Sequence, residues 1–257
     1  MSKYTFTTLF FGVILLIIIL AAQYEGLNPW WILLPVSLYA GFLVLGSISI
    51  GLNFYIGSHN RGDRKIRAIA LTFDDGPEGD ATGALMDLLK RYNAPATFFC
   101  IGRNVVKNKP LVSRMHAEGH LVGNHSFTHH RWFDLFAPGK MAAEIMATNR
   151  EIERITGQAP LLFRPPYGVT NPSLAKALAM TGMTSVGWSL RSFDTIKDGE
   201  RVLRKLKRKT RPGDVVLFHD RAVNLHILEE YLKWLADKNM KVVSLTELLG
   251  IEAYAPD

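Results

Sequence analysis

The chain has 257 residues, with 30 Lys+Arg against 23 Asp+Glu, a net charge of +7, and 48% apolar side chains. That balance excludes intrinsic disorder, and 21 Gly with 12 Pro exclude a collagen-like or low-complexity chain. A single cysteine, Cys100, excludes an internal disulfide framework and any four-thiolate metal site.

Residues 1–57 carry only Lys3 and Glu25, which cancel, so the whole net charge belongs to residues 58–257. From Phe6 to Ala22 no residue is charged, and Thr7 and Thr8 are the only polar side chains. As a helix this stretch would span about 26 Å, close to the hydrocarbon thickness of a bilayer. A second uncharged stretch runs from Trp30 to about Ile56, and Tyr24, Trp30 and Trp31 flank the connection where an aromatic belt would sit. The second run, coming at once, favours a two-helix transmembrane hairpin over 1–57 rather than a cleaved signal peptide. Residues 58–64 read as a juxtamembrane linker and 65–257 as a separate domain. Basic residues are Lys3 before the first span, none in 23–29, and Arg61, Arg64, Lys65 and Arg67 after the second. The positive-inside rule then puts the N-terminus and the domain on the cytoplasmic side of the cell membrane.

Beyond the hairpin, strand and helix patterns alternate. Ile66–Phe73 is a nearly continuous apolar strand ending in Asp74-Asp75-Gly76-Pro77. Helical spacing over Ala81–Tyr92 leads to a strand at Ala96–Ile101, a helix at Pro110–Glu118 and a strand at Leu121–Gly123. A helix over Lys140–Thr156 stops at Gly157. Leu161–Phe163 (strand), Ser173–Thr181 (helix), Thr184–Trp188 (strand) and Gly199–Lys209 (helix) come next. Val215–Phe218 (strand), Leu225–Lys238 (helix), Lys241–Ser244 (strand) and a short helix around Glu247 complete the pattern. About seven short apolar strands with helices at most crossings predict an α/β fold, a distorted parallel (β/α) barrel.

In such barrels reacting groups sit just beyond the C-terminal ends of strands. Here those positions hold Asp74 and Asp75, His125 and His129, Arg164, Asp194, and His219 with Asp220. His125 and His129 are four apart, so one helical turn would aim both imidazoles at one point. With Asp75 they form a two-His-one-carboxylate set that suits a catalytic divalent ion such as zinc. The plainer alternative is a polar loop with surface histidines. Asp74 and Asp75 alone could be a solvated turn, although two carboxylates after a buried strand are costly unless positive charge meets them. His59, His116, His120, His130 and His226 read as ordinary surface or packed histidines, and Cys100, Phe98 and Phe99 as core.

These residues resemble the polysaccharide deacetylases, the NodB-homology domain of carbohydrate esterase family 4, over roughly 65–250. Thr72-Phe73-Asp74-Asp75-Gly76 is similar to the family's first motif, His125-Ser126-Phe127-Thr128-His129 to its second, Arg164-Pro165-Pro166-Tyr167-Gly168 to its third and Leu217-Phe218-His219-Asp220 to its fifth. The resemblance implies Asp74 as general base, steadied by Arg164, and Asp75, His125 and His129 as ligands of a divalent metal (zinc, or else cobalt or another transition metal). It further implies a Tyr167 backbone N–H at the oxyanion and Leu217 lining the acetyl-methyl pocket. His219 is then the general acid, oriented by Asp194. The fourth motif, Trp188-Ser189-Leu190-Arg191-Ser192-Phe193-Asp194-Thr195, departs from the family. Arg191 stands where members carry Asp and Thr195 where they carry Trp, while Trp188 remains as a substrate-binding candidate. The implied activity is metal-dependent removal of an N-acetyl or similar N-acyl group from an amino sugar. Alternatives are a catalytically silent glycan- or lipid-binding relative, or a deformylase or O-deacetylase on a related carbohydrate.

Residues 201–211 carry seven Lys/Arg and no acid. Val202, Leu203 and Leu206 can form an inward stripe, so the segment reads as a solvated outer helix, or more sharply as one drawn to anionic lipid. No aromatic ladder accompanies these charges, so nucleic acid is not an expected partner. The expected partners are membrane lipids and an N-acylated amino-sugar substrate, lipid-linked if the domain is cytoplasmic.

Overall fold

The computed structural model describes residues 2–220 and 224–256. Helix α1 (Lys3–Tyr24) begins at Ser2, whose hydroxyl accepts the Thr5 N–H. A 3-10 turn (Pro29–Ile32) leads into α2 (Leu33–Ile48). Both are predominantly apolar and bury only Phe11, Pro35 and Gly46; α1, and α2 together with the 3-10 turn before it, are long enough to cross a membrane. Phe11 packs on Tyr39 and Phe42, and the Thr8 and Tyr39 hydroxyls meet at 2.9 Å. The second helix therefore ends at Ile48, well short of the end of its uncharged stretch.

Among the described residues nine strands come after it: β1 (Ser58–His59), β2 (Ala68–Asp74), β3 (Ala96–Cys100), β4 (Leu121–Asn124), β5 (Leu162–Phe163), β6 (Thr184–Val186), β7 (Leu190–Arg191), β8 (Val215–His219) and β9 (Lys241–Val242). All their pairings are parallel, in the order β1-β6-β5-β4-β3-β2-β8-β7, with β9 also on β2. The chain passes from β6 directly into β7, so β2 to β8 form a curled, incompletely closed barrel. The segment expected as a linker is built into it. His59 accepts the Gly187 N–H, and Gly62 donates to the Gly213 carbonyl.

The domain's helices are α3 (Gly79–Arg91), α4 (Gly102–Lys107), α5 (Lys109–Ala117), α6 (Pro138–Thr156), α7 (Pro172–Thr181), α8 (Gly199–Lys209) and α9 (Leu225–Asp237), with α10 (Leu245–Leu249) last. Strand alternation sorts the side chains into two cores. Ile69, Leu71, Phe73, Phe98, Val216 and Phe218 face outward onto α3, α5, α8 and α9. Phe73 stacks between Phe98 and Phe218 at 5.3 and 5.6 Å. Ala68, Ala70, Phe99, Leu162, Val186 and Val215 fill the interior, beneath which Leu245 and Leu248 of α10 pack. The same period of two sends Thr72, Asp74, Leu217 and His219 up the interior toward the C-terminal rim.

The hairpin is docked on the domain at that rim. The Thr170 N–H donates to the Ser47 carbonyl at 2.9 Å, the Ser47 hydroxyl to the Thr170 carbonyl at 2.8 Å, and the Thr170 hydroxyl to the Gly46 carbonyl at 3.1 Å. Gly46 has no side chain because a Cβ would fall 2.2 Å from the Phe54 ring.

Candidate active site

Arg164, directly after β5, is completely buried in the barrel mouth. Its Nη1 donates to Asp74 Oδ1 at 2.7 Å and to the Thr72 hydroxyl at 2.8 Å; Nη2 donates to the Gly187 carbonyl and Nε to that of Val186. The guanidinium also lies 4.1 Å over the Phe99 ring. Burial pulls its pKa down, and the carboxylate of Asp74 opposes that. Each of the three guanidinium nitrogens has an acceptor, as a buried cation requires. Asp74 is thereby fixed with its second oxygen facing the site, 3.9 Å from His125 Nε2.

Asp75 sits one residue on, with φ of 74°. Its Oδ1 lies 3.7 Å from His125 Nε2 and 3.5 Å from His129 Nε2, and one ligand atom from each of the three residues lies within 4.8 Å of the others. His125 Nδ1 is 2.7 Å from the Arg164 carbonyl oxygen, which assigns the proton to Nδ1 and leaves Nε2 free to ligate. Burial, then the neighbouring His125, pulls the His129 pKa down to about 4 against the pull of Asp75 and Asp74, so this imidazole is neutral. Two imidazoles and a carboxylate converging at this spacing fit a divalent cation of the zinc type.

The expectation of a helical turn across His125–His129 is corrected. The five residues form a loop with Ser126 at φ 62° and His129 at φ 47°. The two rings nonetheless approach to 4.8 Å between centroids, because left-handed residues fold the chain back on itself. Asp75, Ser126, His129 and Tyr167 all adopt this costly backbone region at one rim, as strained positions at functional sites do.

Across from Asp74, in direct strand register, stands His219. Its Nδ1 donates to Asp194 Oδ1 at 2.9 Å, and its backbone N–H donates to Asp194 Oδ2 at 2.8 Å. Burial would lower the His219 pKa, but the hydrogen bond to Asp194 and the charges of Asp74, Asp194 and Asp75 outweigh it and raise it. Tyr167 is half exposed on the rim, its ring edge-on to His129 at 4.8 Å. A cavity of about 470 Å³ opens over Asp75, His129 and Tyr167, with Arg103 and Lys107 at its border. Leu217 is buried just below the rim. Trp188 packs against Gly168, where a Cβ would fall 2.3 Å from its ring, and lines a second cavity toward the hairpin.

Glu144, Asn104 and Ser192 were not anticipated. Glu144 of α6 accepts the backbone N–H of Phe127 at 3.1 Å and of Thr128 at 2.7 Å, plus the Thr128 hydroxyl, and so pins the histidine loop. The signal was present: Glu144 lies between Met141 and Thr148 on the stripe α6 buries. Asn104 donates to the Asp75 carbonyl and Ser192 to Asp194. Asp220 is buried beneath Gly76, which cannot carry a side chain because a Cβ would lie 1.8 Å from the carboxylate. Burial, with Glu78 and Asp75, pushes the Asp220 carboxyl up to about 6 despite the Thr82 hydroxyl hydrogen bond.

The family model for polysaccharide deacetylase matches residues 61–186. Peptidoglycan-N-acetylglucosamine deacetylase PgdA of Listeria monocytogenes is 34% identical over 72% of this chain, which spans only 39% of that protein's length. A chitooligosaccharide deacetylase of a Bradyrhizobium species is 36% identical, covering 60% of this chain and 71% of its own. A solved peptidoglycan N-acetylglucosamine deacetylase, bound to 4-naphthalen-1-yl-N-oxidanyl-benzamide, superposes with a TM-score of 0.72. Its identity is 28%, over 77% of this chain and 95% of its own.

Proposed function

The chain belongs to the polysaccharide deacetylase family, and from that premise we propose that it hydrolyses the N-acetyl, or a similar N-acyl, group of an amino sugar. The observation that carries this reading is the facing pair of Arg164–Asp74 and Asp194–His219 beside the Asp75, His125 and His129 cluster. One half can take a proton and the other can give one. The relatives' names support an N-acetylated glucosamine-type sugar as substrate.

When bound by Asp75, His125 and His129, a divalent ion such as zinc supplies Lewis-acid polarisation of the acyl carbonyl and acidifies water. Asp74, fixed by Arg164, takes the proton of the attacking water. The Tyr167 backbone N–H, presented by a left-handed turn, serves the developing oxyanion, with Leu217 at the acyl methyl. His219, whose pKa Asp194 raises, delivers its proton to the departing nitrogen. A free amino sugar and a small carboxylate leave.

The two apolar helices anchor this domain in a membrane, with the third-motif loop held against the end of α2 through Ser47 and Thr170. The positive-inside pattern sets the domain on the cytoplasmic side, where a lipid-linked amino sugar is the glycan within reach. Purified full-length chain should release acetate from N-acetylated glucosamine oligomers or a lipid-linked N-acetylated sugar, lose this on chelation and regain it with zinc. No release from either class, with metal bound, contradicts the reading. A C-terminal tag accessible only from outside intact cells contradicts the sidedness.

A further inference from the structure

A second cavity, of about 510 Å³, lies where the barrel fails to close, between the end of α2 and β7. One wall is Ile48 and Ile50, and the opposite wall carries Arg191, Lys205 and Lys209 around Phe193. Lys205 Nζ sits 3.6 Å over the Phe193 ring and donates to the Arg191 carbonyl, while the Arg191 guanidinium lies 5.2 Å from the same ring. The acid in this cavity, Asp214, is already taken. It accepts from Arg61 at 3.0 Å, from the Ser189 hydroxyl at 2.8 Å and from the Arg211 N–H at 2.7 Å. Among the described residues no carboxylate lies within ion-pair distance of Arg191, Lys205 or Lys209. The Nε–H of Arg191 is buried with no acceptor at all. Burial and the crowding of Lys197, Arg191 and Lys209 pull the Lys205 pKa down to about 8, the response of cations held together without a counter-charge.

We propose that this cavity is an anion site for a phosphate group, and that in the membrane the phosphate is a lipid's. Three uncompensated cations and a buried unpaired guanidinium N–H call for an oxyanion with several acceptor oxygens, such as a phosphate group. The wall formed by the end of an apolar helix sets the site at headgroup depth, where lipid phosphates are concentrated. A bilayer phospholipid is the source of that phosphate at this depth. The proposal rests on the reading of the chain as a membrane-anchored domain.

The test titrates full-length protein in dodecyl maltoside micelles with dihexanoyl phosphatidylglycerol, dihexanoyl phosphatidylcholine and inorganic phosphate, by calorimetry. Phosphatidylglycerol should bind best, and Arg191→Gln and Lys205→Gln should each weaken it about tenfold. Arg191→Lys should restore part of the loss, and Lys241→Gln, on exposed β9, should change nothing. Inorganic phosphate binding as tightly as the lipid, and lost in the same variants, would uphold the anion site but overturn the lipid as its source. Equal affinity in wild type and cavity variants, or no binding of any probe, overturns the site. Acetate release from a soluble oligomer, followed in the same preparations, keeps the two readings apart. Release without anion binding sinks the site alone, and anion binding without release sinks the deacetylase reading alone.

Discussion

The catalytic rim and the cavity beside α2 both gather charge around a barrel opening, yet they treat it oppositely. At the rim Arg164 grips Asp74 and Asp194 grips His219, while Asp75, His125 and His129 converge as one cluster. In the cavity Arg191, Lys205 and Lys209 have no such partner among the described residues. A paired charge is preorganised and keeps its place whether or not substrate is present. An unpaired one raises the free energy of the empty protein and lowers it again only when a ligand arrives.

Breaking the paired region should have the largest effects. Arg164→Met strands Asp74 and two backbone carbonyls, and should cost about 3–5 kcal/mol of stability. A thermal or denaturant unfolding curve that does not shift would show that the pair is not needed by the fold. Asp74→Asn should leave the fold and metal content intact while acetate release falls on the order of 100-fold or more. Unchanged turnover removes Asp74 as the base. Glu144→Gln weakens the clamp on Phe127 and Thr128, and should reduce zinc affinity by about tenfold, measured by chelator competition, with little change in melting. Equal zinc affinity would make Glu144 a packing residue only.

The smallest effect concerns pH. Asp194 raises the His219 pKa by its hydrogen bond and its charge, against burial. Asp194→Asn removes the charge, so the imidazolium is lost at lower pH. The alkaline limb of kcat/KM should then move toward acid. A limb that stays where it was, with activity reduced, assigns that limb to another group.

The order of strands and helices was legible in the sequence because apolar runs of four to eight residues alternate with helical spacing and Gly or Pro stops. Strands β1 and β7 were not: β1 falls in the segment read as a linker, and β7 follows β6 with only three residues between. The rim residues were legible as polar positions just past strands, and the family resemblance assigned them roles. The route by which His125 and His129 meet was not, because a four-residue spacing is shared by a helical turn and a loop of left-handed residues. Glu144 was readable as an acid on a buried stripe, whereas the unpaired state of Arg191 exists only once β7, α8 and the end of α2 are brought together.

The proposed chemistry depends on one divalent ion held between Asp75, His125 and His129. Elemental analysis of the full-length chain purified with zinc present, alongside His129→Ala and Asp74→Asn, tests it most directly. One equivalent of metal in wild type and Asp74→Asn, and a near-total loss in His129→Ala, is the predicted outcome. Metal content that is negligible in wild type, or that survives in His129→Ala, contradicts it.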